Sequence, residues 1–556
     1  NTAAVIADGA LVKAAMDVIV NANAKEQIIS VVAGVAVSGV AGVGGTIGVV
    51  TIVNETLASI GDNDLDSTGA TVTTDGNVLV NAYDDTQVVL VAGNLAIGFT
   101  GAGVGGSIGV LVEIKKTSAL IAPYSKVTAN GKANGIINKA YQKSMGTDGS
   151  FSVYDEVKGV IVQAYSNDQV VTVVGTAGGG LYAGVAGSVL VDVFLSDTTA
   201  MIGSNAVVTS GGDVLVTALN HSKIFNFAGS VSLASVGVSG SLVVDVIRNN
   251  AKAIVGSNAV ITAVQHVQVA ALSNKDTTTV SATGSLAGLG IGASLLVNVI
   301  GDEFAASFKT SYEEYERDMD GNIKKDADGN PIVRKDTIEK DPFASKDKDG
   351  KETSGKENIS NTFNTLDDGK DLISGAIDSS ADDTGDDDSV DYFVLLGKKL
   401  DSVSTGFKNV DIVTAGKDAL GASGLDAKSG TIAVIEKGAK IILSASDSVL
   451  DVIAEERVKY LAIGGSVTGG GSSVAGVASI NVIGSNVNAI IDSGAKLTAV
   501  TINVDANLIT DLNATVVAGT AGAMGGFAGQ AVVVYDHANT AAGIGDDLGN
   551  KVIIHA

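Results

Sequence analysis

Cysteine is absent from all 556 residues, which rules out disulfides, thiolate metal sites and cysteine nucleophiles. Tryptophan is absent too, proline occurs 3 times, and aromatic residues make up 4% of the chain. A globular core of this length ordinarily uses more large rings, whereas a thin core between sheets about 10 Å apart fills with small and branched aliphatic side chains. Basic residues are the minority: 36 Lys and Arg stand against 61 Asp and Glu, a net charge of −25. That balance argues against a nucleic-acid partner, because phosphate binding needs clustered cations. No run of about eighteen apolar residues escapes polar breaks or strand-like alternation, so no membrane span is expected. The histidines, His221, His266, His537 and His555, are scattered. No pair has metal-ligand spacing, so each reads as a surface or turn residue.

Glycine, by contrast, is abundant at 70 residues. In "GAGVGGSIGVLVEIKK", Gly101, Gly103 and Gly106 have the spacing of a dinucleotide-binding loop. Such a loop opens a helix, yet the residues after Gly106 alternate with period two, as a strand does. Related phrases recur with their opening small residue at Gly45, Gly106, Gly187, Gly240, Ala293, Gly476 and Gly529. One cofactor loop does not occur seven times.

Thirteen residues after each small residue comes an alanine: Ala58, Ala119, Ala200, Ala253, Ala306, Ala489 and Ala542. The intervals are 61, 81, 53, 53, 183 and 53, so the basic period is 53 residues, the signature of stacked repeats. Ala4 falls in the same register, 54 residues before Ala58. Two residues after each marker alanine stands an apolar side chain such as Ile121, Ile202 or Val255, read as a ladder inside the core. The positions two, four and six after the small residue (Leu242, Val244, Val246; Leu295, Val297, Val299) are apolar and read as the buried strand face. Asp197, Asn249, Asn250 and Asn486 read as turn residues, and Asp245 with Asn298 as a solvated surface stripe. The fold expected is all-β, an elongated parallel β-helix (solenoid) of about seven 53-residue repeats carrying one inserted module. Each repeat splits into about 24 and 29 residues, which suggests two coils per repeat.

The 183-residue interval holds the inserted module. Between Glu303 and Gly430 lie 29 acidic and 17 basic residues, against 51 charged residues in the rest of the chain. The organisation read from this is 1–307 repeats, 308–430 acidic module, 431–556 repeats resumed at Ala433 and Ile435. The module carries "DMDGN", "DADGN" and "DKDG". Their alternate carboxylates, Asp318, Asp320, Asp326, Asp328, Asp347 and Asp349, are the candidate calcium ligands. None completes a twelve-residue calcium loop, and the same dipeptides serve as hairpin turns, with "IKKDADGNPIVRK" supplying the arms. The acidic run from Asp382 reads as a solvated loop. The module also holds Tyr312, Tyr315, Phe343, Phe363, Tyr392, Phe393 and Phe407, the rings an interface uses as anchors.

"TTAMIGSNAVVTSGGDVLVTALNHS" followed by "FAGSVSLASVGVSGSLVVDVI" resembles the repeats of the large leukotoxin and filamentous-adhesin family, bacterial surface proteins exported by type V secretion. The resemblance covers about 430 residues, everything outside the insertion. It implies a right-handed β-helix stalk, extracellular exposure, and adhesion or cell-damaging activity without catalytic residues. The chain opens at "NTAAVIADGA" and ends at "KVIIHA", without signal peptide or cap. Both ends read as cuts through a longer array or as surfaces for another copy. The expected function is non-enzymatic adhesion to a host or neighbouring cell surface. The alternative is a filament or matrix subunit joining further copies end to end. A cell-damaging or polysaccharide-active β-helix is a minor alternative.

Overall fold

A computed structural model describes residues 1–62, 68–301 and 430–545, together with a few short strands elsewhere. Every element in it is a strand. The repeating element is a long strand out, a tight reversal, a long strand back and one short strand. Val78–Gly98, Ala102–Ile121 and Lys126–Ala129 form one such copy, and Gly159–Gly180, Ala183–Ile202 and Val207–Ser210 the next. In Asp213–Val255, Val449–Ile491 and Thr501–Ile544 the path out and back is a single strand. The long strands form a 12-stranded parallel sheet system and the short ones an 8-stranded sheet. Val, Ile and Thr favour this conformation because branched side chains pack well on a pleated surface.

Each residue pairs with its counterpart in the neighbouring copy. Val160 lies between Val78 and Val214, and Ala200 between Ala119 and Ala253. Ala4 pairs with Ala58, as its spacing predicts. The ladder also crosses the insertion, where Ala433 stands between Ala253 and Ala489. Ala306 lies outside the described residues, and Ala433 occupies the ladder position expected of it. Two coils per repeat would pair the two halves of one copy in parallel. Instead Gly187 pairs with Gly106 and Gly240, whole copies away, so each repeat advances the sheet by one strand spacing, about 4.8 Å.

Four zones follow one another along the interior of each copy. At the base, the starts of the outbound strands, the ends of the return strands and the short strands enclose an aliphatic core that contains Val78, Ile121, Val127, Ile202 and Ile261. The ladder of Ile121, Ile202 and Val255 is fully buried, as expected. Next comes a polar seam, then a second apolar cluster with Leu90, Leu111, Phe194, Ile247 and Tyr460. Nearest the reversal, hydroxyls and small residues meet, as in Ser241 with Ser281 at 2.6 Å and Ser232 with Ser285 at 2.9 Å.

Leu242, Val244, Val246 and Val299 are buried as the sequence suggests, but on the side away from the opposing strand. The return strands turn Ser107, Gly109 and Leu111 inward, and the valine-rich positions two, four and six after the small residue point away from the opposing strand. Ile47 is 65% exposed, whereas Leu242 and Val244 are buried on that outer face. Asp245 and Asn298 share a column, but it is interior rather than a surface stripe. Asp197, Asn249, Asn250 and Asn486 lie within strands rather than turns; neighbouring copies supply partners for three of them, Asn250 donating to Asp197, its column neighbour, and Asn539 to Asn486.

A second compact unit spans Phe304–Ala427. Within it Glu314–Tyr315 pairs antiparallel with Val333–Arg334, and Ser345–Lys346 with Glu352–Thr353. Val333–Arg334 therefore takes a different partner from the "DADGN" hairpin arm expected, while the "DKDG" stretch lies between two paired strands.

Candidate functional site

The 81-residue interval is longer than the basic period because an excursion leaves the stack between Ala129 and Gly159. It forms two small antiparallel pairs, Tyr141–Met145 with Phe151–Val153 and Ile136–Ile137 with Glu156–Val157. Ile136, Ala140 and Val157 pack against Leu79, Ile161 and Leu215, which project from the outer face of three consecutive outbound strands. The excursion is thereby laid across the stack.

Polar contacts extend it further. Tyr154 donates to Gln268 at 2.9 Å, and Gln268 donates to the Tyr141 carbonyl at 3.1 Å. The Met145 amide donates to Glu455 at 3.2 Å, and Arg457 donates to the Thr147 carbonyl. Asp451 accepts from Lys143 at 2.9 Å and Asn503 at 2.7 Å, and its Oδ2 lies 2.8 Å from His266 Nε2. Burial would raise the Asp451 pKa, but the hydrogen bonds from His266, Lys143 and Asn503 outweigh it and hold the carboxyl down at about 2.

Rings converge at the same place. Tyr165 meets Tyr83 and Tyr141 edge-on at 5.3 Å and Phe151 at 5.7 Å, and Phe151 reaches His221 at 6.2 Å. Such edge-to-face contacts are favoured by the ring quadrupole. Burial pushes the Tyr141 and Tyr154 hydroxyls up to about 12, so both stay protonated donors at neutral pH. Burial also lowers the His221 pKa and favours the neutral imidazole. His221 and His266 are thus fixed in a structured patch rather than being free surface residues. The patch presents aromatic edges, neutral donors and the held carboxyl groups of Asp451 and Glu455.

Beneath it, the polar seam contains a buried ion cluster. Lys115 is fully buried; its ammonium lies 2.6 Å from Asp84 and also bonds Asp168, with Glu113 at 3.8 Å. Asp84 further accepts from Asn54 at 2.6 Å and Thr56 at 2.9 Å. Burial opposes the ammonium, but Asp168, Glu113 and Asp84 prevail and hold Lys115 above the usual lysine range. For Glu113 burial dominates, Asp168 adds to it, and the pKa rises well above the carboxylate range. A second cluster joins Glu456 to Lys275 at 2.9 Å, Ser485 at 2.8 Å and Thr431 at 2.6 Å. A cation sealed among carboxylates cannot reach a substrate; it fixes how adjacent copies align.

The six aspartates proposed as calcium ligands, Asp318, Asp320, Asp326, Asp328, Asp347 and Asp349, lie outside the described residues, as do the acidic run and most of the module's rings. Among the described residues no three His, Asp or Glu side chains converge as metal ligands, and no helix is long and apolar enough to cross a membrane. Sequence reasoning missed both the ring patch and the ion cluster. A signal for the patch existed: Tyr83 and Tyr165 stand nearly the same distance before Gly106 and Gly187, and they pair in register. No family model, curated protein or solved structure matches the chain.

Proposed function

We propose that this chain acts as a non-enzymatic, extracellular bacterial surface protein, a right-handed parallel β-helix of about seven 53-residue coils that serves adhesion to cells or surfaces. The observation that carries this reading is the ladder from Ala253 through Ala433 to Ala489. The stack keeps its register across an interruption of some 130 residues, as expected of a scaffold that presents an inserted module, since stacked repeats accept insertions on one face. The charged module with its rings is the contact element in this reading.

The test is a deletion of residues 310–429 closed by a short Gly/Ser linker. The shortened protein should keep its strand circular dichroism and lose at least about tenfold in binding to cultured cells. Equal binding by both proteins would remove the module from the adhesive role. Fibres of indefinite length formed by both, without cell binding, would establish the filament alternative instead.

A further inference from the structure

Each copy contains one stretch without a single charged residue: 27–54, 88–112, 170–191, 224–244, 277–301, 460–491 and 512–535. These stretches are the distal parts of the strands plus the reversal between them. They begin at one structural line, because Gln27, Gln87, Gln169, Lys223, Asp276, Lys459 and Asp511 occupy a single column of paired residues. Beyond that column the outer face of the outbound strands is apolar, with Val231, Leu233, Leu286 and Val467 between 45% and 61% exposed. Leu95 and Phe99 on one side and Val231 and Leu233 on the other border a groove of about 290 Å³ floored by Ala177 and Gly179. The reversals themselves carry exposed Phe99, Leu181, Tyr182 and Met524.

The backbone at these tips is not left to water. The amides of Phe99 and Thr100 donate to Ser38 and Gly39 of the preceding copy, Tyr182 to Gly101, and Ser235 and Val236 to Leu181 and Tyr182. Two polar side chains there are satisfied likewise: Thr100 donates to the Gly39 carbonyl and Ser235 to the Leu181 carbonyl, both at 2.6 Å. Turn backbone ordinarily faces solvent because it lacks protein partners. At these turns the ladder continues from copy to copy, as hydrocarbon requires of any backbone immersed in it, whereas it skips Gly288 and Gly471 and shifts register at Ala523 and Met524. The alternation, apolar outward and hydroxyl or glycine inward, is also that of lipid-facing strands.

We propose that the distal arm docks on a lipid surface, the apolar tips entering the acyl region of one leaflet and the polar column marking the depth of insertion. The eleven residues from Val88 to Gly98 extend about 36 Å, ample for a leaflet of about 15 Å, half the usual hydrocarbon core. A second copy laid face to face would cover the columns and leave Phe99, Leu181 and Tyr182 in water, whereas a leaflet covers both. This inference does not depend on the inserted module.

Because the chain has no tryptophan, Tyr182→Trp supplies a single reporter. With phosphatidylcholine vesicles its emission should shift to the blue and be quenched by brominated acyl chains, unaffected by added salt. The whole chain should float with the vesicles. Phe99→Asp combined with Leu181→Asp should weaken partition at least about tenfold, since carboxylates resist the hydrocarbon, while the strand circular dichroism stays unchanged. Emission at position 182 that ignores lipid overturns the proposal. So does a blue shift that appears without vesicles and tracks self-association in sedimentation, an outcome that assigns the face to a second copy.

Discussion

Asn226 on an outbound stretch donates a 2.7 Å hydrogen bond to Asp245 on the return stretch of the same copy, and Thr279 of the next copy donates to the other carboxylate oxygen at 2.5 Å. One buried acid thus ties the two walls of a copy together and joins that copy to its neighbour. Asp192, its column partner in the preceding copy, is fully buried as well.

That environment makes stability depend on pH. Burial, only partly offset by the Thr279 and Asn226 hydrogen bonds, pushes Asp245 up to about 7. Burial and then Asp245 itself raise Asp192. Between about pH 4 and 7 the folded protein holds a proton that the unfolded chain has released. Its contribution is therefore complete below about pH 4 and is lost as pH rises through 7, at up to about 1.4 kcal/mol per pH unit for each proton. The urea midpoint should be higher at pH 5 than at pH 8, and Asp245→Asn should flatten that slope while stabilising the protein at pH 8. An undiminished slope in the variant would show that the pH dependence arises elsewhere. Asp451, held at about 2, acts in the opposite direction and only in strong acid, so the two effects do not overlap.

Periodicity made the register legible. Ala4, Ala58, Ala433 and Ile202 stand in the ladder that the repeated phrases mark, because each copy returns to the same register whatever length of chain leaves the stack between copies. Which face turns inward was not legible. Alternation gives a period without a sign, and the usual rule that valine faces the core fails where the opposing wall is close enough to demand glycine and serine. Asn250 misled for a related reason: a polar residue reads as a turn when its partner, here Asp197, lies a whole copy away in sequence. The ring patch needed the register of two copies to be combined before Tyr83 and Tyr165 became neighbours. The docking of residues 130–158 across five outbound strands has no local signature at all.

The ion cluster predicts an asymmetric response to truncation. Lys115→Met removes the one cation among Asp84, Asp168 and Glu113 and leaves carboxylates buried without it. Breaking a buried pair in this way costs about 3–5 kcal/mol, more than the intact pair contributes over an apolar replacement. The variant should unfold at lower denaturant than its parent at pH 8. Adding Asp168→Asn to Lys115→Met should recover part of the loss. A double variant no better than the single one would indicate that Asp168 is not paired with Lys115.

The last prediction concerns the glycines whose spacing imitates a nucleotide loop. Gly103 faces the opposing wall, where a Cβ would fall 2.1 Å from the Gly179 carbonyl oxygen and 2.4 Å from that of Ala96, both backbone atoms. Gly106, three residues on, faces outward, where a Cβ would meet nothing within 4 Å. Neither glycine has a positive φ, so the difference between them is space alone. Gly103→Ala should therefore lose about 1–3 kcal/mol or more through overpacking. Gly106→Ala should be neutral, or should gain up to about 1 kcal/mol from the reduced freedom of the unfolded chain. Paired thermal melts of the two variants check this directly. A phosphate-cradling loop would make both glycines sensitive, because each would border the ligand or the turn, so equal losses at Gly103 and Gly106 would contradict the packing account of this motif.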